Sequence, residues 1–186
     1  MKSLGNAGET PMNEREDVVA AVLSAAGGKL TGRVRLQKAV YLMERLGLES
    51  GFSFDYHHYG PYSRELDYAM NDAKASDLVD ETFGRRQSDG ASFSIFSLKG
   101  DAKPDALGKL GQEKARELAR LFAETNVTVL ELAATVDWLW RFENCDDWKS
   151  EITKRKGAKV QAGRLDKAVE LLAELDLRPR ALPASA

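Results

Sequence analysis

The residues best suited to chemistry lie in one short stretch, which holds both histidines of the chain and a nearby serine. His57 and His58 are adjacent, and adjacent side chains of a strand point to opposite faces, so the two rings cannot bind one metal ion together. Ser63 beside a histidine is a conceivable nucleophile, but no nucleophile-elbow motif surrounds it, and the serine is well placed to cap a helix. Phosphate-loop and dinucleotide-binding fingerprints are also absent from the sequence. We therefore expect no catalytic residue, no metal site, no cofactor and no enzymatic activity.

The elements that must position these side chains are a strand and a helix joined by a sharp turn. Residues 52–59 alternate in strand fashion, which places His58 on the face of the aromatic side chains and His57 on the other face. The dipeptide Gly60-Pro61 should end the strand, and Ser63 should cap the following helix. We interpret His58 as a hydrogen-bonded core histidine and His57 as a surface or interface residue.

Two amphipathic helices should precede the strand. Asn13 is placed to cap the first, which the apolar pattern predicts to be short and buried on one side. The second should run over residues 31–46, with a basic stripe of Arg35, Lys38 and Arg45 opposite its apolar face. This stripe is either an ordinary solvated face or a contact for an anionic partner.

The segment after the turn has the order of elements found in a winged helix, a helix followed by a β-hairpin. A helix from Ser63 to about residue 75 is followed by two short apolar runs, 78–83 and 92–98, which flank a polar loop and predict a β-hairpin. Arg85 and Arg86 would lie at the tip of this hairpin. The strand at 52–59 is a candidate for the third strand of the same small sheet.

The second half of the chain should be helical. A helix is predicted over 105–124, and a second one over 129–142 is apolar on all sides, with Thr128 and Glu131 as its capping box. Asp137 interrupts this apolar helix, and we interpret it as a structural ion pair or a partly exposed edge rather than a catalytic acid.

These patterns predict a mainly α protein with a small β-sheet, in which a winged-helix-like N-terminal half packs on a C-terminal helical bundle. Residues 13–177 should form one domain, with halves at 13–100 and 101–177, and residues 1–12 and 178–186 should be flexible tails.

Composition excludes several classes of protein. The net charge of −2 does not indicate nucleic-acid binding, and the single cysteine, Cys145, excludes an intramolecular disulfide. No apolar run approaches the length of a membrane span, and the first residues lack the apolar core of a signal peptide. We expect a cytoplasmic protein without a membrane partner or a small-molecule substrate.

Three blocks of sequence carry a family resemblance: GRVRLQKAVYL at 32–42, YHHYGPYSREL at 56–66 and LELAATV at 130–136. Together they are similar to the YwgA-like proteins and, more distantly, to the Panacea domain of phage-associated and antitoxin proteins, including SocA-type antitoxins. The resemblance covers roughly residues 15–176. Panacea domains usually carry a tryptophan shortly before the Gly-Pro turn, and this chain has none there.

The resemblance implies a small helical domain without a cofactor. In the Panacea group it implies an antitoxin that binds and neutralises a partner toxin, in some cases as an adaptor for a protease. No catalytic residue is implied.

Two functions are therefore considered. The first is a protein-binding module whose surface centres on the Gly60-Pro61 turn, with contacts from the residues His57, Tyr59, Tyr62, Arg35 and Lys38. Charge reversal at Arg35 and Lys38 should then weaken binding without disturbing the fold.

The alternative function is a winged-helix DNA-binding regulator. Its recognition helix would begin at Ser63, and Arg85 and Arg86 would contact the DNA backbone. The same helix carries several carboxylates, among them Glu65 and Asp67, which is unfavourable beside phosphates.

Overall fold

A computed structural model describes residues 14–179 of the chain. The predicted tail at 1–12 and the cap at Asn13 lie outside these residues. Of the predicted C-terminal tail only Arg178 and Pro179 are described, and Pro179 is buried. The elements follow in the order α1 (Arg15–Ala25), β1 (Lys29–Thr31), α2 (Arg33–Arg45), β2 (Asp55–His57), β3 (Gly60–Tyr62), α3 (Arg64–Ala75), β4 (Val79–Arg85), β5 (Ser92–Leu98), α4 (Gln112–Glu124), α5 (Val127–Arg141), α6 (Trp148–Lys156) and α7 (Arg164–Glu174). Short 3₁₀ helices at Pro104–Leu110 and Gly157–Val160 precede α4 and α7.

The predicted mainly helical fold with a small sheet is confirmed. One hydrophobic cluster runs through both halves of the chain, from Val19 on α1 and Val40 on α2 to Leu132 on α5 and Leu172 on α7. Helix α5 lies at its centre and contacts α2, β3, α6 and α7. Most of the apolar residues on the different sides of α5 are buried because neighbours cover the helix from each of these directions.

Helix α1 is buried on every side, so the prediction of one buried face is wrong. Every side chain from Val18 to Leu23 is almost completely buried, and the carboxylate of Asp17 is buried as well. Lys103 compensates that carboxylate, because its Nζ lies 2.8 Å from Asp17 Oδ2. Helices α3 and α4 and the 3₁₀ segment before α4 surround the helix.

The three-stranded antiparallel sheet has the order β1-β5-β4. The predicted hairpin of β4 and β5 directly follows α3, but the third strand is β1, whose Lys29 pairs with Ser97 and whose Thr31 pairs with Ile95. The prediction that the strand at 52–59 completes this sheet is wrong. Only Asp55–His57 of that segment forms a strand, β2, and it pairs with β3 in a separate two-stranded hairpin.

Two glycines divide the helix that was predicted over 105–124. Gly108 and Gly111 have φ values of 56° and 70°, so a right-handed helix cannot continue through them. The capping box predicted for α5 is also wrong. Asn126 is the cap, since its side chain accepts a hydrogen bond from Thr128 N over 2.9 Å, and Glu131 points into the interior instead.

Residues 14–179 contain neither a candidate membrane span nor a cluster of candidate metal ligands. No helix there is long and apolar enough to cross a membrane. Nor do three or more histidine, cysteine, aspartate or glutamate side chains in that range come together as candidate metal ligands.

Candidate functional site

A cleft of about 790 Å³ opens between the sheet and the first turns of two helices. The end of β1 and the start of α2 form one wall, the start of β5 forms another, and the start of α5 forms a third. Side chains from the β2–β3 turn, the β4–β5 hairpin and the 3₁₀ helix before α7 complete it. The lining residues are Thr31, Gly32, Arg33, Val34, Arg35, Tyr59, Arg86, Ser92, Phe93, Ser94, Asn126, Val127, Thr128, Glu131 and Lys159.

Four of the lining side chains are cations, and one is a carboxylate. Arg33 pairs with Glu81 at 3.1 Å and faces Asp67 at 3.7 Å, and Arg86 pairs with Asp89 at 3.2 Å. These three carboxylates lie outside the lining. The Arg86–Asp89 pair is exposed on both sides, so solvent weakens it, whereas Glu81 and Asp67 are mostly shielded and only the Arg33 side of their pairs is open to solvent.

Arg35 fixes one wall of the cleft. Its guanidinium donates to the carbonyl oxygen of Thr125 over 2.6 Å, to that of Thr31 over 3.2 Å and to that of Phe122. Partial burial lowers the pKa of this guanidinium, which still remains charged. Arg35 therefore joins α2 to the carboxyl end of α4, where a cation is electrostatically favourable.

Lys38 is buried beneath the cleft, so the predicted surface stripe of basic residues is wrong. Its side chain is 1% exposed, and its Nζ donates to the carbonyl oxygen of Pro61. Burial lowers the pKa of Lys38 to about 7; the Glu131 carboxylate opposes this shift, and Lys156 and Lys159 add to it. Charge reversal at Lys38 would therefore disturb the interior rather than a binding surface.

Arg45, the third residue of the predicted stripe, also points to a buried group. Its Nε lies 3.2 Å from Asp137 Oδ2, and Tyr41 donates its hydroxyl hydrogen to the same oxygen over 2.6 Å. Arg141 is 3.8 Å from the other carboxylate oxygen. These contacts fit the interpretation of Asp137 as a structural ion pair, although burial still raises the pKa of its carboxyl group.

Glu131 forms the second buried ion cluster, which the sequence did not reveal. Lys156 Nζ lies 2.9 Å from Glu131 Oε1, and Lys159 Nζ lies 2.8 Å from both carboxylate oxygens. The Lys156 side chain is 2% exposed. The signal in the sequence is a charged residue, Glu131, within a mostly apolar helix, but the spacing from Thr128 also fits a capping box.

The turn between β2 and β3 separates surface residues from interior ones. His57, His58 and Tyr59 are exposed, whereas Gly60 and Pro61 are buried. The prediction of His58 as a core histidine is wrong, because the strand ends at His57 and His58 occupies the turn itself. Of the predicted binding residues, Gly60 and Pro61 therefore act as supports for the exposed tip.

Tyr62 lies at the edge of this turn. Its hydroxyl donates to Asp67 Oδ2 over 2.7 Å, and this bond raises the pKa of Tyr62. The His57 ring is 4.9 Å from the Tyr62 ring. The pair is separate from the cleft, whose lining includes neither residue.

Residues predicted under both functional hypotheses line the cleft. Arg35 and Tyr59, predicted for protein binding, line it together with Arg86, which was predicted for DNA binding. Arg85 is exposed at the end of β4 but does not line the cleft. Lys159 adds a cation whose Nζ lies 4.8 Å from the centre of the Tyr59 ring.

Comparison with known proteins finds a distant relative of the chain. No family model matches the chain. The protein named "Uncharacterized protein YwgA" from Bacillus subtilis (strain 168) is 24% identical over 156 residues, which cover 80% of this chain and 89% of YwgA. The chain is similar to YwgA. The match with YwgA supports the YwgA-like resemblance across most of the sequence, and the name of YwgA specifies no activity.

Proposed function

We propose that the protein is a non-enzymatic protein-binding module, an antitoxin or proteolytic adaptor that binds and neutralises a partner toxin. The observation that supports this proposal is the cleft, which combines a cationic lining with an exposed tyrosine. Tyr59 is 50% exposed, and Arg33, Arg35 and Arg86 lie in the same lining. Tyrosine and arginine are the residue types enriched at the centres of protein interfaces. The antitoxin role itself comes from the Panacea resemblance of the sequence.

Ser63, the nucleophile candidate, and Cys145, the single cysteine of the chain, are poorly placed for catalysis. Ser63 is completely buried, and its Oγ accepts a hydrogen bond from Leu66 N over 3.2 Å as the cap of α3. Burial and nearby carboxylates raise the pKa of Cys145, which disfavours the thiolate that a nucleophile requires. Both residues lie outside the cleft lining. These positions favour a binding role over an enzymatic one.

DNA binding is the alternative function. Arg85 and Arg86 are exposed at the hairpin, as a backbone-contacting wing would require. Helix α3, which would enter the groove, carries Glu65 and Asp67 in its first turn and the exposed Asp72. These charges would repel phosphates, so protein binding is the better-supported function.

The test is an affinity capture of the tagged protein from a lysate of cells that encode it, with and without nuclease. Tyr59→Ala removes the exposed ring of the cleft. Tyr68→Ala is the matched control, because Tyr68 is 58% exposed on α3, outside the cleft. We expect a stoichiometric protein that survives nuclease, is lost with Tyr59→Ala and is retained with Tyr68→Ala. Expression of that partner alone should stop growth, and co-expression of this protein should restore it.

The opposite pattern would favour DNA binding. In that case nucleic acid would be captured without a stoichiometric protein, its yield would fall steeply as salt rises, and Tyr68→Ala on the presumed recognition helix would be the damaging variant.

A further inference from the structure

We infer that the cleft binds an extended acidic segment of the protein partner, which adds as a strand to the open edge of β5. This inference rests on the proposed protein-binding function and specifies the chemistry of the partner. Addition of a strand to an exposed sheet edge is a common mode of peptide recognition, in which backbone hydrogen bonds supply affinity and side chains supply specificity.

The edge is open because β1 is shorter than β5. Strand β4 pairs with β5 along its whole length, from Ser92 to Leu98, whereas β1 pairs only with the segment from Ile95 to Ser97. One further hydrogen bond joins Gly32 N to Ser94 O over 2.8 Å. The chain then leaves the sheet, since helix α2 begins at Arg33.

The direction of the backbone groups follows from the bonds already formed. Ser94 O accepts from Gly32 N, and Leu98 N donates to Gly28 O, so the even-numbered residues of β5 direct their N–H and C=O groups towards β1. In an antiparallel ladder this alternation continues along the strand. The N–H and C=O of Ser92 therefore point to the open edge, and Ser92 lines the cleft.

The charge of the cleft selects an acidic segment. Arg33, Arg35, Arg86 and Lys159 line it against the single carboxylate Glu131. The side chains of Arg33 and Arg86 are 43% and 60% exposed, so a bound carboxylate can approach both from the solvent side. The first turns of α2 and α5 add partial positive charge to two of the walls.

The geometry favours a peptide over a nucleic acid. A strand offers alternating donors and acceptors that match the N–H and C=O of Ser92, while a phosphate backbone offers acceptors only. Tyr59 at the rim provides an apolar and rigid surface for a side chain of the added strand. A basic cleft with a donor-and-acceptor edge thus fits an acidic peptide in extended conformation.

The test uses two fluorescent peptides of eight residues, one alternating valine and glutamate and the other alternating valine and lysine. Binding is measured by fluorescence polarisation at physiological salt with the full chain. We expect the acidic peptide to bind at least tenfold more tightly than the basic one. Backbone amide exchange should show new protection at Ser92 and Ser94 when the acidic peptide is bound.

Ser92→Pro is the decisive variant, because it removes the N–H that faces the open edge and leaves the bonds to β4 in place. Ser92→Ala is the matched control, since it keeps the backbone donor. We expect Ser92→Pro to weaken binding of the acidic peptide at least tenfold and Ser92→Ala to stay within twofold of wild type. A thermal melt establishes that both variants are folded.

Three results would overturn the inference: no binding of the acidic peptide, equal binding of both peptides, or full binding by Ser92→Pro. Failure here is distinct from failure of the proposed function. If Ser92→Pro still captures the cellular partner while Tyr59→Ala does not, the module binds a protein through the cleft, but not by strand addition. If neither variant changes the capture, the cleft is not the binding surface.

Discussion

Tyr41 on α2 donates its hydroxyl hydrogen to Asp137 on α5 over 2.6 Å, and both side chains are almost completely buried. The contact joins two helices from opposite halves of the chain. It also explains how an aspartate is tolerated at the centre of the most apolar helix, because a buried carboxylate is stable only when donors or cations satisfy it.

Tyr41→Phe should therefore destabilise the protein. The change leaves one oxygen of Asp137 with Arg45 as its remaining close partner, and loss of a hydrogen bond to a buried charged group costs about 2 kcal/mol. Chemical denaturation measures the free energy of unfolding. Tyr68→Phe is the control, because Tyr68 is exposed on α3. Equal stability of the two variants would show that Asp137 does not depend on Tyr41.

Gly60→Val should be strongly destabilising. Gly60 has φ +84°, which an L side chain rarely adopts, and a Cβ atom there would lie 2.5 Å from Thr135 Oγ1. Backbone strain and overpacking together should cost about 3 kcal/mol. Gly90→Val is the matched control, since Gly90 has φ +69° but no atom within 4 Å of the added Cβ. The Gly90→Val variant should lose about 1 kcal/mol of folding stability from backbone strain alone.

The thermal midpoints of the two glycine variants test this difference. A similar fall for both would mean that only the backbone angle matters. Gly60→Val with a midpoint equal to wild type would contradict the close packing of β3 against α5.

Glu131→Gln should destabilise the protein because it leaves a buried positive charge without its partner. The glutamine keeps the shape of the side chain but leaves Lys156 and Lys159 without their carboxylate. Removing one partner of a buried pair costs about 3 kcal/mol or more. Glu49→Gln is the control, because its bridge to Lys109 is exposed and such pairs contribute less than about 1 kcal/mol. Equilibrium unfolding in urea at pH 7 measures the free energy of unfolding of both variants. Equal losses of stability would contradict a buried ion cluster around Glu131.

Lys38 should give the protein a dependence of stability on pH. Its pKa is about 7 in the folded protein, against an ordinary value of 10.5. Between these values the unfolded chain binds a proton that the folded chain has released, so the free energy of unfolding rises with pH across this window. The slope is at most about 1.4 kcal/mol per pH unit. Below pH 6 both states are protonated and the contribution is constant.

The measurement compares wild type with Lys38→Met at pH 6, 7, 8 and 9. Wild type should gain stability relative to the variant from pH 7 to 9. Glu131, Lys156 and Lys159 are present in both proteins, so their own contributions to the pH dependence partly cancel in the comparison. A constant difference over this range would mean that Lys38 keeps its proton in the interior.

Local patterns were enough to predict several elements. Ser63 was recognised as a cap because its spacing from the turn and the helix is a property of neighbouring residues, and the hairpin of β4 and β5 follows from two apolar runs around a polar loop. Strand β1 has only three residues, a pattern too short to indicate a strand, and its conformation depends on pairing with the distant β5.

The partners within the interior ion clusters could not be predicted for a different reason. Lys38 faces away from the main apolar side of α2, and only the packing of β3 and α5 against that face makes it an interior residue. The three predicted residues that line the cleft, Arg35, Tyr59 and Arg86, come from distant parts of the sequence. Their proximity depends on tertiary structure, which no local pattern contains.

The β2–β3 turn is held from inside by two lysines. Lys156 donates to the carbonyl oxygen of His58 over 3.0 Å, and Lys38 donates to that of Pro61. Both bonds use backbone oxygens, so they constrain the position of the tip without constraining which side chains it displays. The exposed side chains of His57, His58 and Tyr59 are consequently free to be exchanged while the tip stays in place, and a new recognition surface could evolve here without any redesign of the core.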